Sequence, residues 1–482
     1  MYLGVDLGST NIKAALYDKG MQLIDRRSIP VRYIRENGFV EFDATEYTKE
    51  LIELLRVILQ ENNVHYVCEI SFTGQAESLV VVGKDGTPLM NAISWMDERS
   101  TEECSELESL FTKEECEAVT GQQAVLPTWP ATKILWLKKN KPEVFNNAQT
   151  YMLLKDFVVF YLTGNKFSDM SIATFSFYFD IYNKCYWKKM LDAIDIDETK
   201  LPPLAEPCSV AGLLKDGLTD KLNLTSSPKI NVGTLDHFAG MIGTGNVNIG
   251  KITLSTGTVM AMATISKEPA NDVKGIAMHY GFLPDTHIML PVAESGGVSL
   301  EWFKSNCMQN ISYDDMNAVL ANRKRNELLF LPYLVGTNSP EFDPRATGVF
   351  WGLRHEHDVY DMAHSIMEGV SFLLRKNCEY IKKNDTPIEA IIATGGGAKS
   401  EIWCQLQSDI TNLPIMIPKE KEAACLGAAI IAAVEDGAIE SLEKASEMIE
   451  FEKQYLPCAN NYLEEKYKKF NQLYDFSCQL KE

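Results

Sequence analysis

YLGVDLGSTNIKAALYD, residues 2–18, opens the chain with two apolar runs bent around Gly8, Ser9 and Thr10, and KITLSTGTVMAMATI, residues 251–265, repeats the arrangement around Thr256, Gly257 and Thr258. Apolar runs on either side of a glycine-containing turn read as strand, turn, strand. Glycine at such a bend lets successive N–H groups face one point, which is how a neutral loop holds phosphate oxygens. One hairpin in each half reads as a degenerate duplication with a boundary near Gly243, giving domains 1–243 and 244–482.

The surrounding pattern agrees with two domains. A chain of 482 residues exceeds one ordinary hydrophobic core. After the first hairpin come a helix from about Thr45 to Asn62 and a buried strand in VCEISFTG, then a mostly helical insertion from about Thr101 to Thr163. INVGTLDHFAG (230–240) reads as a strand running into a helix, and EAIIATGGGAKSEIWCQLQSDI (389–410) as strand, glycine turn and helix. The short strand LPIMIP and a small-residue helix, AACLGAAIIAAV (423–434), follow. Alternation of this kind predicts an α/β fold with largely parallel or mixed sheets covered by helices, and ligands at strand ends.

Composition excludes several classes. The net charge of −20 argues against nucleic-acid and anionic-membrane partners, and no basic stripe offsets it. Eleven cysteines without a CxxC pair, after an opening segment without signal-peptide character, predict reduced thiols in the cytoplasm. The longest uncharged stretch is too short for a bilayer span.

The candidate residues each carry two readings. In DLGSTNIK (6–13), Asp6 suits magnesium, directly or through water, while Ser9, Thr10, Asn11 and Lys13 suit phosphate; the same residues also make an ordinary hairpin turn. GGGAKS (395–400) offers Gly396 and Gly397 for close approach of a nucleotide, or simple turn chemistry. Asp236, followed by His237, is a helix cap or a general base. TGQAES (73–78) and WMDERS (95–100) supply Gln75, Ala76, Glu77, Asp97 and Arg99, either solvated loop charges or contacts to a polyhydroxylated ligand. HEH (355–357) lacks a third ligand at metal-site spacing and reads as surface or capping. Neither GxxxxGK[ST] nor a helix-opening GxGxxG occurs.

Together these motifs resemble the FGGY family of carbohydrate kinases, from Gly4 to about Val434. DLGSTNIK looks like its first phosphate motif and LSTGT its second. PATKILWL (130–137) and GVFWGLRHEHDVYDMAHSIMEG (348–369) resemble its two signature stretches, and PYLVGTNSPEFDPRATG, GGGAKSEIW and EAACLGAA are similar to stretches of the xylulose kinase branch. The resemblance implies two related actin-like, hexokinase-type (ribonuclease H-like) domains with a central cleft, and ATP-dependent phosphorylation of a small sugar or polyol. It implies Asp236 as catalytic base, and Asp6 with the first-hairpin hydroxyls at a Mg-ATP phosphate site. It implies Thr256, Gly257, Thr258, Gly297, Gly396 and Gly397 as nucleotide contacts, Gln75, Ala76, Glu77, Asp97, Arg99 and His237 as acceptor contacts, and, at family level, a homodimer. The chain departs from the xylulose kinase pattern at Ala76 and Glu77, where that branch usually has Met-His. The acceptor then reads as a pentulose such as xylulose, with glycerol, erythritol, ribulose and fuculose as alternatives. From other classes, an actin-like regulatory ATPase or a sugar-binding protein without catalysis would share the hairpins.

Overall fold

The computed structural model describes residues 1–266, 276–323, 326–383, 386–458 and 461–480. The chain divides into two compact units: Met1–Val247 with Met278–His287 and Glu422–Met448, and Asn248–Ala277 with Ile288–Lys421 and Ile449–Glu482.

In the first unit, β1 (Tyr2–Leu7), β2 (Asn11–Tyr17) and β3 (Leu23–Pro30) form an antiparallel meander. Helix α1 (Ala44–Glu61) starts at Asp43, whose carboxylate accepts the N–H groups of Thr45 and Glu46. Its apolar stripe of Tyr47, Leu51, Leu55 and Ile58 joins the core formed with Leu3, Val5 and Leu7. β4 (Glu69–Gly74) runs parallel to β1, and its residues are buried throughout. The expected helical insertion contains α2 (Pro130–Asn140), packed in a separate cluster around Trp129, Ile134, Leu137 and Phe177, and a strand at Thr150–Leu153 that the helical pattern hid. β5 (Lys229–Leu235) returns parallel to β4 and runs straight into α3 (Asp236–Gly243). The strand order, from the Val210–Leu213 edge strand, is edge-β5-β4-β1-β2-β3.

The second unit repeats this plan. β6 (Gly250–Thr256) and β7 (Met260–Ser266) form the second hairpin, and Val292–Ala293 lies antiparallel beside β7. Helices α4 (Val298–Cys307) and α5 (Val359–Lys382) precede β8 (Ile388–Gly395), which is parallel to β6; α6 (Glu401–Thr411) then leads to β9 (Ile415–Pro418), parallel to β8. The duplication extends to register. Leu7 lies opposite Gly74 at the end of β1 and β4, and Thr256 opposite Gly395 at the end of β6 and β8. Each glycine is required by crowding: a Cβ on Gly74 would lie 2.7 Å from Leu7 Cβ, and one on Gly395 2.8 Å from Thr256 O.

The small-residue helix α7 (Ala423–Glu435) packs in the first unit, so packing divides the chain differently from the expected 1–243 and 244–482. The reason is close backbone contact. A Cβ on Gly4 of β1 would sit 1.9 Å from Cys425 O, one on Gly427 1.8 Å from Ala239 O, and one on Gly243 1.9 Å from Ala423 O. Only bare backbone admits α7 against both β1 and α3. Among the described residues, no helix is long and apolar enough to cross a membrane.

Gly427→Ala should therefore destabilise the chain by about 2 kcal/mol or more, because its methyl meets a backbone carbonyl rather than a flexible side chain. Denaturant unfolding followed by circular dichroism would show it as a lower midpoint.

Candidate active site

Asp6 projects from β1 opposite Lys13 on β2 and Thr73 on β4, so its position is set by ladder register. Its Oδ1 is buried without a hydrogen-bond partner. Burial, with the charge of Asp236 adding to it, pushes the Asp6 carboxyl up to about 7, against the opposing pull of Lys13. Lys13 is itself held by Glu422, Nζ to Oε2 at 2.8 Å. The turn between them is braced from behind. Tyr33 donates its hydroxyl to Ser9 O at 2.8 Å, Val31 N–H to Thr10 O at 2.9 Å, and Gln75 Nε2 to Gly8 O at 3.3 Å. Gly8 leaves no room for a Cβ, which would fall 2.7 Å from Asn11 O.

Asp236 is the first residue of α3, at the end of β5 on the opposite side of β4 from β1. Its Oδ1 accepts the His237 N–H at 2.6 Å, and the residue is only partly buried while His237 is exposed. Asp236 stands one residue past the N-cap position, which Leu235 holds, so it is not the helix cap, and its hydrogen bond goes to the adjacent His237 N–H.

The loop after β4 carries Gln75, Ala76 and Glu77. Gln75 is buried and braces the turn, its Oε1 accepting the Ser78 hydroxyl at 2.9 Å. Glu77 is held with φ at +65°, an uncommon conformation for glutamate. Burial raises its carboxyl, opposed by Lys133 and a hydrogen bond from Thr128. Lys133 of α2 is fully buried, donates to Ser94 O at 2.8 Å and to Glu77 O at 3.1 Å, and is pulled down to about 7 by burial. Sequence reading missed Lys133, since one lysine in KILWLKK is indistinguishable from its exposed neighbours.

Asp97 and Arg99, expected among the acceptor contacts, serve the fold instead. Both side chains are buried, Arg99 Nε bonds Asp97 Oδ1 at 2.7 Å, and Arg99 Nη2 bonds Glu41 Oε1 at 2.8 Å. Asp97 Oδ2 accepts the Val40 N–H at 2.5 Å, and the guanidinium lies over Phe39 and Trp136 at 4.0 and 4.9 Å. A charge pair closed in this way secures strand edges and is not free to bind hydroxyls.

A second unread group lies near His237. His279 is 1% exposed, stacks on Phe175 at 4.5 Å, and lies 3.3 Å from Gln122 Nε2 through its Nδ1. Burial and the nearby His237 push it down to about 3, so it stays neutral at physiological pH. Nothing in MHYGF marks it, because its hydrogen-bond partner Gln122 and its stacking partner Phe175 lie more than a hundred residues away.

In the second unit, Thr256, Gly257 and Thr258 form the hairpin tip, and Gly257 and Thr258 are exposed. Gly297 donates its N–H to Gly257 O at 2.8 Å, and Val298 to Thr258 O at 3.1 Å, which seats the tip against the start of α4. Gly397 crowds Thr256, where a Cβ would stand 2.8 Å from Thr256 Cβ. The expected nucleotide residues from three separated motifs are thus brought to one end of the β6–β8 pair.

The family model for the N-terminal domain of FGGY carbohydrate kinases matches residues 1–243, and the model for the C-terminal domain matches 250–435. The chain belongs to the FGGY family of carbohydrate kinases. It is 29% identical to the xylulose kinase of Bacillus subtilis strain 168, over 98% of this chain and 95% of that one. It is 27% identical to the gluconokinase of the same organism, over 93% and 90%. The ligand-bound xylulose kinase from Lactobacillus acidophilus superposes with a TM-score of 0.90 at 27% identity, covering 99% of this chain and 97% of that one. This FGGY kinase is therefore a phosphotransferase acting from ATP on a small sugar, with the two-domain actin-like fold.

Its residues also fit a divalent cation. Among the described residues there is no cage of three or more metal-ligating side chains. A magnesium ion that arrives with nucleotide needs only one or two carboxylates, and Asp6 offers a buried oxygen without a partner next to the charge of Asp236.

An aspartate raised in the folded state binds protons there that the unfolded chain has released, so its presence makes stability fall as pH rises from about 4 through 7. Asp6→Asn lacks this loss. In magnesium-free buffer, its melting temperature relative to the parent should rise between pH 5 and pH 8, as read by differential scanning fluorimetry.

Proposed function

We propose that this FGGY kinase phosphorylates a hydroxyl of a pentulose such as xylulose, with Asp236 as general base and Mg-ATP as phosphoryl donor. The observation that carries the reading is the carboxylate of Asp236, presented partly exposed at a strand end beside Asp6. Asp236 accepts the proton of the attacking hydroxyl as the oxygen forms its bond to the γ-phosphorus and ADP departs. Asp6 would hold magnesium, directly or through water, and the ion when bound supplies charge neutralisation on the phosphates. Ser9, Thr10, Asn11 and Lys13 offer the phosphate contacts of the first unit, and Thr256, Gly257, Thr258, Gly297, Gly396 and Gly397 the nucleotide contacts of the second.

Ala76, Glu77 and His237, which the fold leaves partly or fully exposed, are the acceptor contacts we favour. A carboxylate accepts from two adjacent hydroxyls, and the partly exposed Phe175 ring suits C–H groups. Relatives named xylulose kinase support a pentulose. Glu77 favours a neutral acceptor over an anionic one such as gluconate and keeps polyols and other ketoses as the second reading. We place the enzyme in the cytoplasm, where its eleven free cysteines stay reduced.

ADP release should be stimulated strongly by one sugar in a panel of xylulose, ribulose, fuculose, glycerol, erythritol, xylitol and gluconate. Stimulation by none, with ATP hydrolysed regardless, would move the chain to the regulatory ATPase reading. With the responding sugar, Asp236→Ala should lower kcat about a hundredfold or more while ATP binding by calorimetry is nearly unchanged. Glu77→Gln should raise KM for that sugar and leave KM for ATP within about twofold, since the change touches one set of hydroxyl contacts.

A further inference from the structure

Three buried polar residues of the first unit, Lys155, Asp169 and Ser171, take no part in the chemistry above. The Lys155 and Asp169 side chains are 1% and 0% exposed. They are ion-paired, Nζ to Oδ2, and Lys155 also donates to Val232 O at 2.6 Å. Asp169 Oδ1 accepts the N–H groups of Ser171 and Ile172 at 3.0 and 3.2 Å, and the Ser171 hydroxyl. With its one proton given to Asp169, Ser171 Oγ is left to accept, and it does so from Thr234 Oγ1 at 2.7 Å and Leu235 N–H at 3.2 Å.

The outward bonds of Lys155 and Ser171 fall on Val232, Thr234 and Leu235, the stretch just before Asp236, and that stretch is irregular. The register of β5 against β4 shifts between Asn231 and Thr234. Gly233 sits at φ +65°, with its missing Cβ only 1.6 Å from Phe72 O, so no other residue fits. A bulge of this kind bends a strand and re-aims the residues beyond it, but it takes backbone groups out of the ladder. Here each is met from elsewhere. Val232 O receives Lys155, Gly233 N–H reaches Asn231 Oδ1 at 2.8 Å, Gly233 O accepts Cys208 N–H at 2.8 Å, and Thr234 O accepts the Thr73 hydroxyl at 2.9 Å. A buried ion pair is a costly way to gain stability, and an apolar pair of similar volume often does as well. It does supply directional donors and acceptors to a strand that has left its ladder.

We propose that Lys155, Asp169 and Ser171 are positioning residues that lock the bulged end of β5 and thereby aim the Asp236 carboxylate at the acceptor hydroxyl. The inference rests on the reading of Asp236 as the base. Ser171→Ala removes the acceptor for Leu235 N–H and Thr234 Oγ1 without touching substrate, and a misaimed base costs turnover rather than binding.

The test is a double-mutant cycle of Ser171→Ala and Asp236→Ala, with ATP and the responding panel sugar, alongside hydrogen exchange of the 230–240 peptide without substrate. Ser171→Ala should lower kcat about 10- to 100-fold with both KM values within about threefold, speed exchange in 230–240, and have less than about a twofold effect once Asp236 is already alanine. Unchanged kcat or unchanged exchange in folded Ser171→Ala overturns the proposal, as does an equal loss in the Asp236→Ala background. Near-normal activity of Asp236→Ala alone overturns the base assignment, and the exchange result then still reports whether the lock exists. If Ser171→Ala does not fold, the near-isosteric Thr234→Val decides by the same readouts.

Discussion

Two carboxylates that repel each other stand at strand ends on either side of β4, and most of the first unit can be understood from what it takes to keep them there. Asp6 is set by ladder register on β1, and Asp236 by a bulged strand that ends in a helix. The Asp6 position is unfavourable for a charge: Oδ1 has no partner and its proton affinity is raised by burial and by Asp236. Such a pair persists only because the surrounding backbone is over-determined, through glycine contacts beneath β1 and α3 and the polar lock behind β5. A cation brought by nucleotide and held by Asp6, as proposed, would relieve this repulsion.

The internal repeat shows how one plan was put to two uses. The register positions agree, Leu7 with Gly74 and Thr256 with Gly395, so the matching position to Asp6 is Ser255. The half that carries Asp236 keeps a carboxylate there, whereas the half with the exposed glycine tip has a hydroxyl. Anionic phosphates are suited to N–H groups and hydroxyls, and a second buried carboxylate would oppose them.

Buried lysines mark a second theme. Lys133 is pulled down to about 7 while it ties α2 to the loop of Glu77, and Lys155 ties an ion pair to a carbonyl that the bulge exposed. Each joins segments distant in sequence through directional bonds to backbone oxygen. Apolar packing, being non-directional, would not hold a loop carbonyl or a strand end at one angle.

Local chemistry made much of this legible from the chain alone. Alternation and glycine turns mark both hairpins, apolar periodicity marks α1, and a buried run ending in aspartate before small residues marks the β5–α3 junction. These elements depend on neighbours within a few residues, which is why the strand ends and turns that hold Asp6, Asp236 and the glycines were legible, whereas the roles proposed for those residues come from the resemblance to FGGY kinases. Tertiary structure alone decided that Asp97 and Arg99 close on each other, that Gln122 and His279 meet across 157 residues, and that α7 packs beneath β1. It also decided that Lys133, Lys155 and Ser171 act from beneath the surface. A side chain's charge and size are written in the sequence, but whether it faces ligand or its own fold depends on which distant backbone group reaches it first, and no local pattern records that.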